Sequence, residues 1–306
     1  MLAGSRHIEE HLLQNQECHE RTGNNEKETA REDEPAMPCT TVMLGTLCCD
    51  LQIEHFQQLV WCCFVSFVVV HGLRKKRMFG ASQIQKAFLA PFVLFMALLA
   101  LGDLVVPHFF DGLAFWMASE PRYWVSPVQT VVCGALLFSS WRYYDLRRPM
   151  RLWFTLAVAM LVLVIWVSPQ IFFHAAARRD GFDPAFFGTH GWLWWFNVTL
   201  RVVRLVIVVP LLEEIFWRGF LLRFLIREPF ESVPFGTFSW VSFFVVTLGF
   251  CFEHSRPDWP AAFITGALYN LVAYRTRSLS SCVLAHAVTN LLLGIYIFAT
   301  GQWGFW

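Results

Sequence analysis

The chain has 306 residues, 56% of them hydrophobic and only 15% charged, against roughly a quarter charged in soluble chains, so it cannot cover two water-facing domains and reads as a membrane protein. A formal net charge of +1 offers no basic footprint, and no nucleic-acid partner is expected.

Residues 1–55 hold eleven acids and four bases (net −7), whereas the remainder holds 20 bases and 12 acids (net +8). With little apolar surface to bury, this stretch is expected to be a disordered acidic tail ahead of a transmembrane domain over 56–306. It lacks the basic start and apolar core of a secretory signal. His7 and His11 stand at i, i+4 near Cys18, His19 and Cys39, but nothing fixes such ligands in space and no metal is expected there. The nine cysteines form no C-x-x-C pair and read as buried thiols instead of a disulfide framework.

Apolar runs able to cross a bilayer need about 20 residues. In chain order they are the short Leu59–Leu73, then Ala87–Val106, Trp124–Trp141, Leu152–Phe173, Phe196–Leu212, Phe235–Phe252, Trp259–Tyr274 with Asn270 inside it, and Cys282–Ala299. None alternates at period two, so an all-α polytopic bundle of about eight transmembrane helices is expected, not a barrel. Basic residues cluster in alternate connections, around 74–77, 142–151, 218–227 and 275–277, which by the positive-inside rule face the cytoplasm. Trp192, Trp194 and Trp195 read as interfacial anchors, and the Asn197 sequon beside them as accidental.

Charge within an apolar span is expensive and marks a functional candidate. Between Val208 and Phe220 two adjacent carboxylates close a nonpolar run. Glu214 and Arg218 stand at i, i+4, the favourable orientation for a helical ion pair, while Glu213 points about 100° away and stays available. Phe250 and His254 end a second apolar stretch, and His286 and Asn290 share one face of a third. Arg201 and Arg204, three apart, are expected to reach for an interface or a buried carboxylate.

The ordered set Glu-Glu-x-x-x-Arg, Phe-x-x-x-His, His-x-x-x-Asn resembles the glutamic-type intramembrane proteases of the CAAX-protease and bacteriocin-processing family. All three motifs match without substitution, and with their context they cover roughly residues 192–300. Flanking stretches such as Trp217-Arg-Gly-Phe-Leu-Leu222 are similar to the bacterial subgroup found beside exosortase-type sorting systems. The resemblance implies a CAAX prenyl endopeptidase-like fold around a water-filled cavity in a bacterial inner membrane. It implies Glu213 and His254 as water activators, His286 and Asn290 as oxyanion donors, and Glu214, Arg218 and Phe250 as support. It further implies no cofactor, a membrane-associated or lipid-anchored protein or peptide as substrate, and association with a protein-sorting system.

Two other readings stay open. A zinc peptidase could draw ligands from Glu213, Glu214, His254 and His286, although no H-E-x-x-H occurs. A non-catalytic scaffold or transporter could use buried ion pairs for specificity. An aspartyl reading through Asp103 and Asp145 fails because the motif order is reversed and the Gly-x-Gly-Asp is incomplete, so both read as helix-end charges. No Gly-x-Ser-x-Gly nucleophile context appears.

Overall fold

The first apolar run becomes a helix because Ser82 and Gln85 close a reciprocal capping box, each side chain bonding the other's backbone N–H at 3.1 Å. This is α1, Gln83–Ala100, in a computed structural model that describes residues 82–102, 120–188 and 190–306. The acidic tail, its histidines, Leu59–Leu73 and Asp103 lie outside the described residues. Six further helices follow: α2 Arg122–Ser139, α3 Leu152–Phe172, α4 Trp192–Phe224, α5 Trp240–Glu253, α6 Trp259–Thr276 and α7 Leu279–Thr300. Among the described residues there is no strand.

Four of these, α1, α3, α4 and α7, are long and apolar enough to cross a membrane. The run Phe196–Leu212 is only part of a 33-residue helix, because the carboxylates beyond Leu212 are buried inside the bundle and do not end it. Phe235–Phe252 yields a shorter helix than its apolar run suggests, 14 residues from Trp240. Trp259–Tyr274 is fully helical, and its Asn270 finds partners across the bundle.

Prolines inside helices leave carbonyls unpaired, and at three of them a side chain supplies the missing donor. Pro91 deprives the Ala87 carbonyl of its helical N–H, and the Tyr144 hydroxyl donates to it at 2.7 Å. Pro169 does the same to Ile165, whose carbonyl accepts from Ser168 Oγ at 2.9 Å.

In α4, Pro210 follows a wide π turn over Arg204–Val208, in which the Val209 N–H reaches back five residues to the Arg204 carbonyl. The next carbonyl in that register, Leu205, would need an N–H from residue 210, which proline lacks. Asn290 Nδ2 on α7 donates to it at 2.9 Å. A second π turn spans Ile215–Leu221.

The helices pair as α1 along α2, α5 along α6 and α7 along α3, with α4 touching α1, α2, α5 and α7. Between apolar helices in lipid, close contact has to come from packing and small residues. Gly266 lets α6 approach the α5 backbone: a Cβ there would lie 3.3 Å from Thr247 Cα. A Cβ on Gly219 would lie 2.9 Å from the Phe88 ring. The Phe92 and Phe216 rings stack at 3.9 Å between α1 and α4.

Polarity is inverted relative to a water-soluble fold. Phe138 and Trp153 are 81% and 88% exposed, while Glu214 and Arg218 are fully buried. The apolar exterior suits lipid, and the charged groups gather in the interior.

Candidate active site

The middle of α4, from Leu212 to Leu222, is buried on every side, so its charged residues must find partners within the protein. Glu214 and Arg218, one turn apart, form an ion pair at 3.0 Å. Arg218 also donates from Nε to Asn270 Oδ1 and from Nη2 to the Gly266 carbonyl, both at 3.0 Å. Its guanidinium lies over the rings of Phe250 and Tyr269, 4.9 and 5.5 Å from their centroids. Asn270 Nδ2 in turn donates to Thr247 Oγ1 at 3.1 Å.

Glu214 Oε1 has a second partner, His286 Nδ1 on α7, at 3.0 Å. The carboxylate thus joins α4 to α7, and Arg218 carries the connection on to α6 and α5.

Glu213 stands apart from this network. It is nearly buried, and among the described residues its Oε2 has no hydrogen-bond partner. It lines a cavity of about 210 Å³ together with His254 and Glu253 from the end of α5. His254 Nδ1 meets the Phe250 carbonyl at 2.8 Å. A carbonyl only accepts, so Nδ1 carries the hydrogen and the lone pair of the neutral ring lies on Nε2. The His254 carbonyl accepts from Trp259 Nε1 at 3.0 Å, which anchors the turn after α5.

Glu253 is held by Trp217 Nε1, which donates to Oε2 at 3.0 Å. Sequence reasoning passed over this acid, although a carboxylate ending an apolar helix beside His254 carries the same signal that singled out Glu213. Asn270 was likewise read only as an interruption of a span.

His286 and Asn290 are not among the cavity's lining residues. His286 is held by Glu214 beside the Tyr269 and Phe250 rings, with centroids at 5.2 and 6.3 Å. Asn290 is committed through one amide hydrogen to the Leu205 carbonyl. The rest of the cavity wall includes Arg201 and Arg204 on α4, Phe95 on α1, and Phe305 and Trp306 after α7.

Residues 194–292, about a third of the chain, match the family model described as type II CAAX prenyl endopeptidase Rce1-like. The matched segment is a membrane-peptidase domain. No curated protein and no solved structure matches the chain. The peptidase domain contains every charged side chain of the Glu214 network and the five ionisable side chains that line the cavity, Arg201, Arg204, Glu213, Glu253 and His254. With the four apolar helices, the match makes the chain an integral membrane protein.

Around the domain, several sequence readings meet their physical partners. Cys133, Cys251 and Cys282 are free and buried. Asp145 forms an exposed ion pair with Arg147 at 2.8 Å, outside the bundle interior. Asn197 is buried, with Nδ2 donating to the Leu193 carbonyl at 3.1 Å, so it offers no surface for a glycan. Arg201 and Arg204, expected to reach for an interface or a buried carboxylate, each donate to Ser126 Oγ, at 3.0 and 3.4 Å, and both line the cavity.

Proposed function

We propose that the chain is a glutamic-type intramembrane endopeptidase that hydrolyses a peptide bond in a membrane-associated or lipid-anchored protein. The observation that carries this reading is Glu213: a buried carboxylate with an unpartnered oxygen, facing a cavity that it shares with His254. Such an oxygen costs free energy unless the site uses it.

Glu213 and His254 take a proton from water as its oxygen attacks the carbonyl carbon. The tetrahedral oxyanion is held by His286 and Asn290. With Nδ1–H directed at Glu214, His286 presents an N–H from Nε2 when the ring carries both protons, and Asn290 retains its second amide hydrogen. Collapse breaks the C–N bond, the proton held by Glu213 passes to the leaving nitrogen, and the remaining proton of the new carboxyl group passes to the amine, giving a carboxylate and an ammonium group. Glu214, Arg218 and Phe250 hold these groups in place. The eight-helix arrangement, the bacterial inner membrane and a connection to an exosortase-type sorting system belong to the same reading.

A zinc peptidase is less well supported: among the described residues no three His, Cys, Asp or Glu side chains gather as a metal-binding group. The two mechanisms separate in one experiment. Glu213→Gln keeps shape and hydrogen bonding but cannot accept the proton, so cleavage of the host's membrane proteins should fall about 100-fold or more with little change in protein level. The purified wild type should keep its activity through prolonged chelation. One zinc per chain, with activity tracking its occupancy, would recast Glu213 and His254 as ligands.

A further inference from the structure

The walls of the cavity at Glu213 come from α1, α4 and the end of α5, except on one side, where Phe305 and Trp306 close it from the stretch after α7. Beyond α7 this stretch has only a single 3-10 turn of its own, Trp303–Phe305. It rests on the loop after α3, and the fit is backbone against backbone. A Cβ on Gly181 would lie 2.0 Å from the Trp303 carbonyl oxygen, and one on Gly304 would lie 2.9 Å from the Asp180 carbonyl oxygen, so the two segments meet only because both residues are glycine.

Arg178 fastens them together. Its carbonyl accepts from the Gly304 N–H at 2.9 Å, and its own N–H donates to Gln302 Oε1 at 3.3 Å. Its guanidinium lies over the Phe305 ring at 4.5 Å while it pairs with Asp258, in the turn that follows His254. Ser255 Oγ donates to the other oxygen of Asp258 at 2.6 Å, which ties the same ion pair to the residue next to His254. Against these ties, the Trp306 indole N–H is buried with no acceptor among the described residues. The docked position bears that cost, and a position in which the indole meets water would not.

We infer that Gln302–Trp306 is a lid over the cavity, latched by Arg178, and that it swings aside to admit a peptide to Glu213. The effect of the lid on turnover rests on the peptidase reading of Glu213, whereas its motion does not. A site open for only a fraction of the time binds with its affinity reduced by that fraction, so unlatching the lid should speed every event that needs the open cavity.

The test reads access and turnover separately in the full-length protein. Val209→Cys places a thiol on the cavity wall, and its reaction with the charged, water-soluble reagent methanethiosulfonate ethyltrimethylammonium is followed by mass spectrometry of the peptide that contains residue 209. Gly181→Ala, whose methyl group cannot coexist with the docked Trp303 carbonyl, and Arg178→Gln, which removes the latch, should each speed that reaction about 10-fold or more. Cys133 and Cys282 are fully buried and should stay unreacted, which reports that the bundle is intact. In chains that keep Val209, cleavage of the host's membrane proteins at limiting concentration should quicken by a similar factor.

Unchanged labelling of residue 209 in either intact variant, or a rise matched at Cys133 and Cys282 in both, overturns the inference. So does cleavage by the wild type that slows or stays the same in the variants, since Phe305 and Trp306 would then be a fixed wall against which substrate binds. Faster labelling with no cleavage by any of the proteins would count against Glu213 as the base and support the lid.

Discussion

Glu214 Oε1 accepts from Arg218 and His286 at 3.0 Å each; Oε2 of Glu214 and Oε2 of the adjacent Glu213 both have no partner among the described residues, but only Glu213 lines the cavity. One residue of helix turns these two carboxylates to different faces, one towards a network of donors and the other towards a cavity. Removing one member of a buried pair strands the other charge, at a cost of about 3–5 kcal/mol, while removing both costs less. Arg218→Ala should therefore destabilise the protein more than Arg218→Ala combined with Glu214→Gln. Unfolding of the purified variants in detergent measures this, and strict additivity would show that the two side chains are not coupled. Arg218 also leaves Asn270 and the Gly266 carbonyl without their donor, so the double variant should remain less stable than the wild type.

In α4, proline chemistry and a neighbouring helix act together. Pro210 removes the N–H that the Leu205 carbonyl would use, and Asn290 replaces it. An orphaned buried carbonyl costs about 1–3 kcal/mol, so Asn290→Ala should destabilise the bundle by that order. Pro210→Ala returns the backbone N–H, and in that background the stability cost of Asn290→Ala should largely vanish. Turnover gives an independent reading: if Asn290 also donates to the oxyanion, kcat should still fall about 100-fold or more in the double variant, with KM little changed. Stability and turnover rescued together would confine Asn290 to bracing the π turn. Tyr144→Phe is the parallel case for α1, since it strands the Ala87 carbonyl beside Pro91. It should cost about 1–3 kcal/mol in the same unfolding measurement.

For the molecule as a whole, the peptidase domain lies at residues 194–292 and the described helices begin at Gln83, and the acidic stretch 1–55 contributes neither an apolar span nor a motif residue. Deleting residues 1–55 should leave membrane insertion and cleavage intact, as followed by carbonate extraction and by accumulation of uncut precursor. Loss of both in a chain starting at residue 56 would show that the tail is part of the working protein.

The sequence by itself determined the helical class, because runs of apolar residues in lipid must satisfy their backbones internally. It also determined the Glu214–Arg218 pair, because four residues along one helix fix two side chains on the same face. The prolines were legible in the same way, and with them the Ala87 and Ile165 carbonyls four residues back, whereas at Pro210 the π turn moves the need to Leu205. The tertiary structure decided which distant groups answer those local demands. That His286 meets Glu214 and not Glu213 depends on how α7 packs on α4, and two π turns shift the angular register that an ideal helix would give. Glu253 and Arg201 join the cavity only because the end of α5 and one face of α4 come together there. Hydrogen bonds and charge pairs act over a few ångströms, so their partners are chosen by packing between helices, for which spacing along a single helix carries no information.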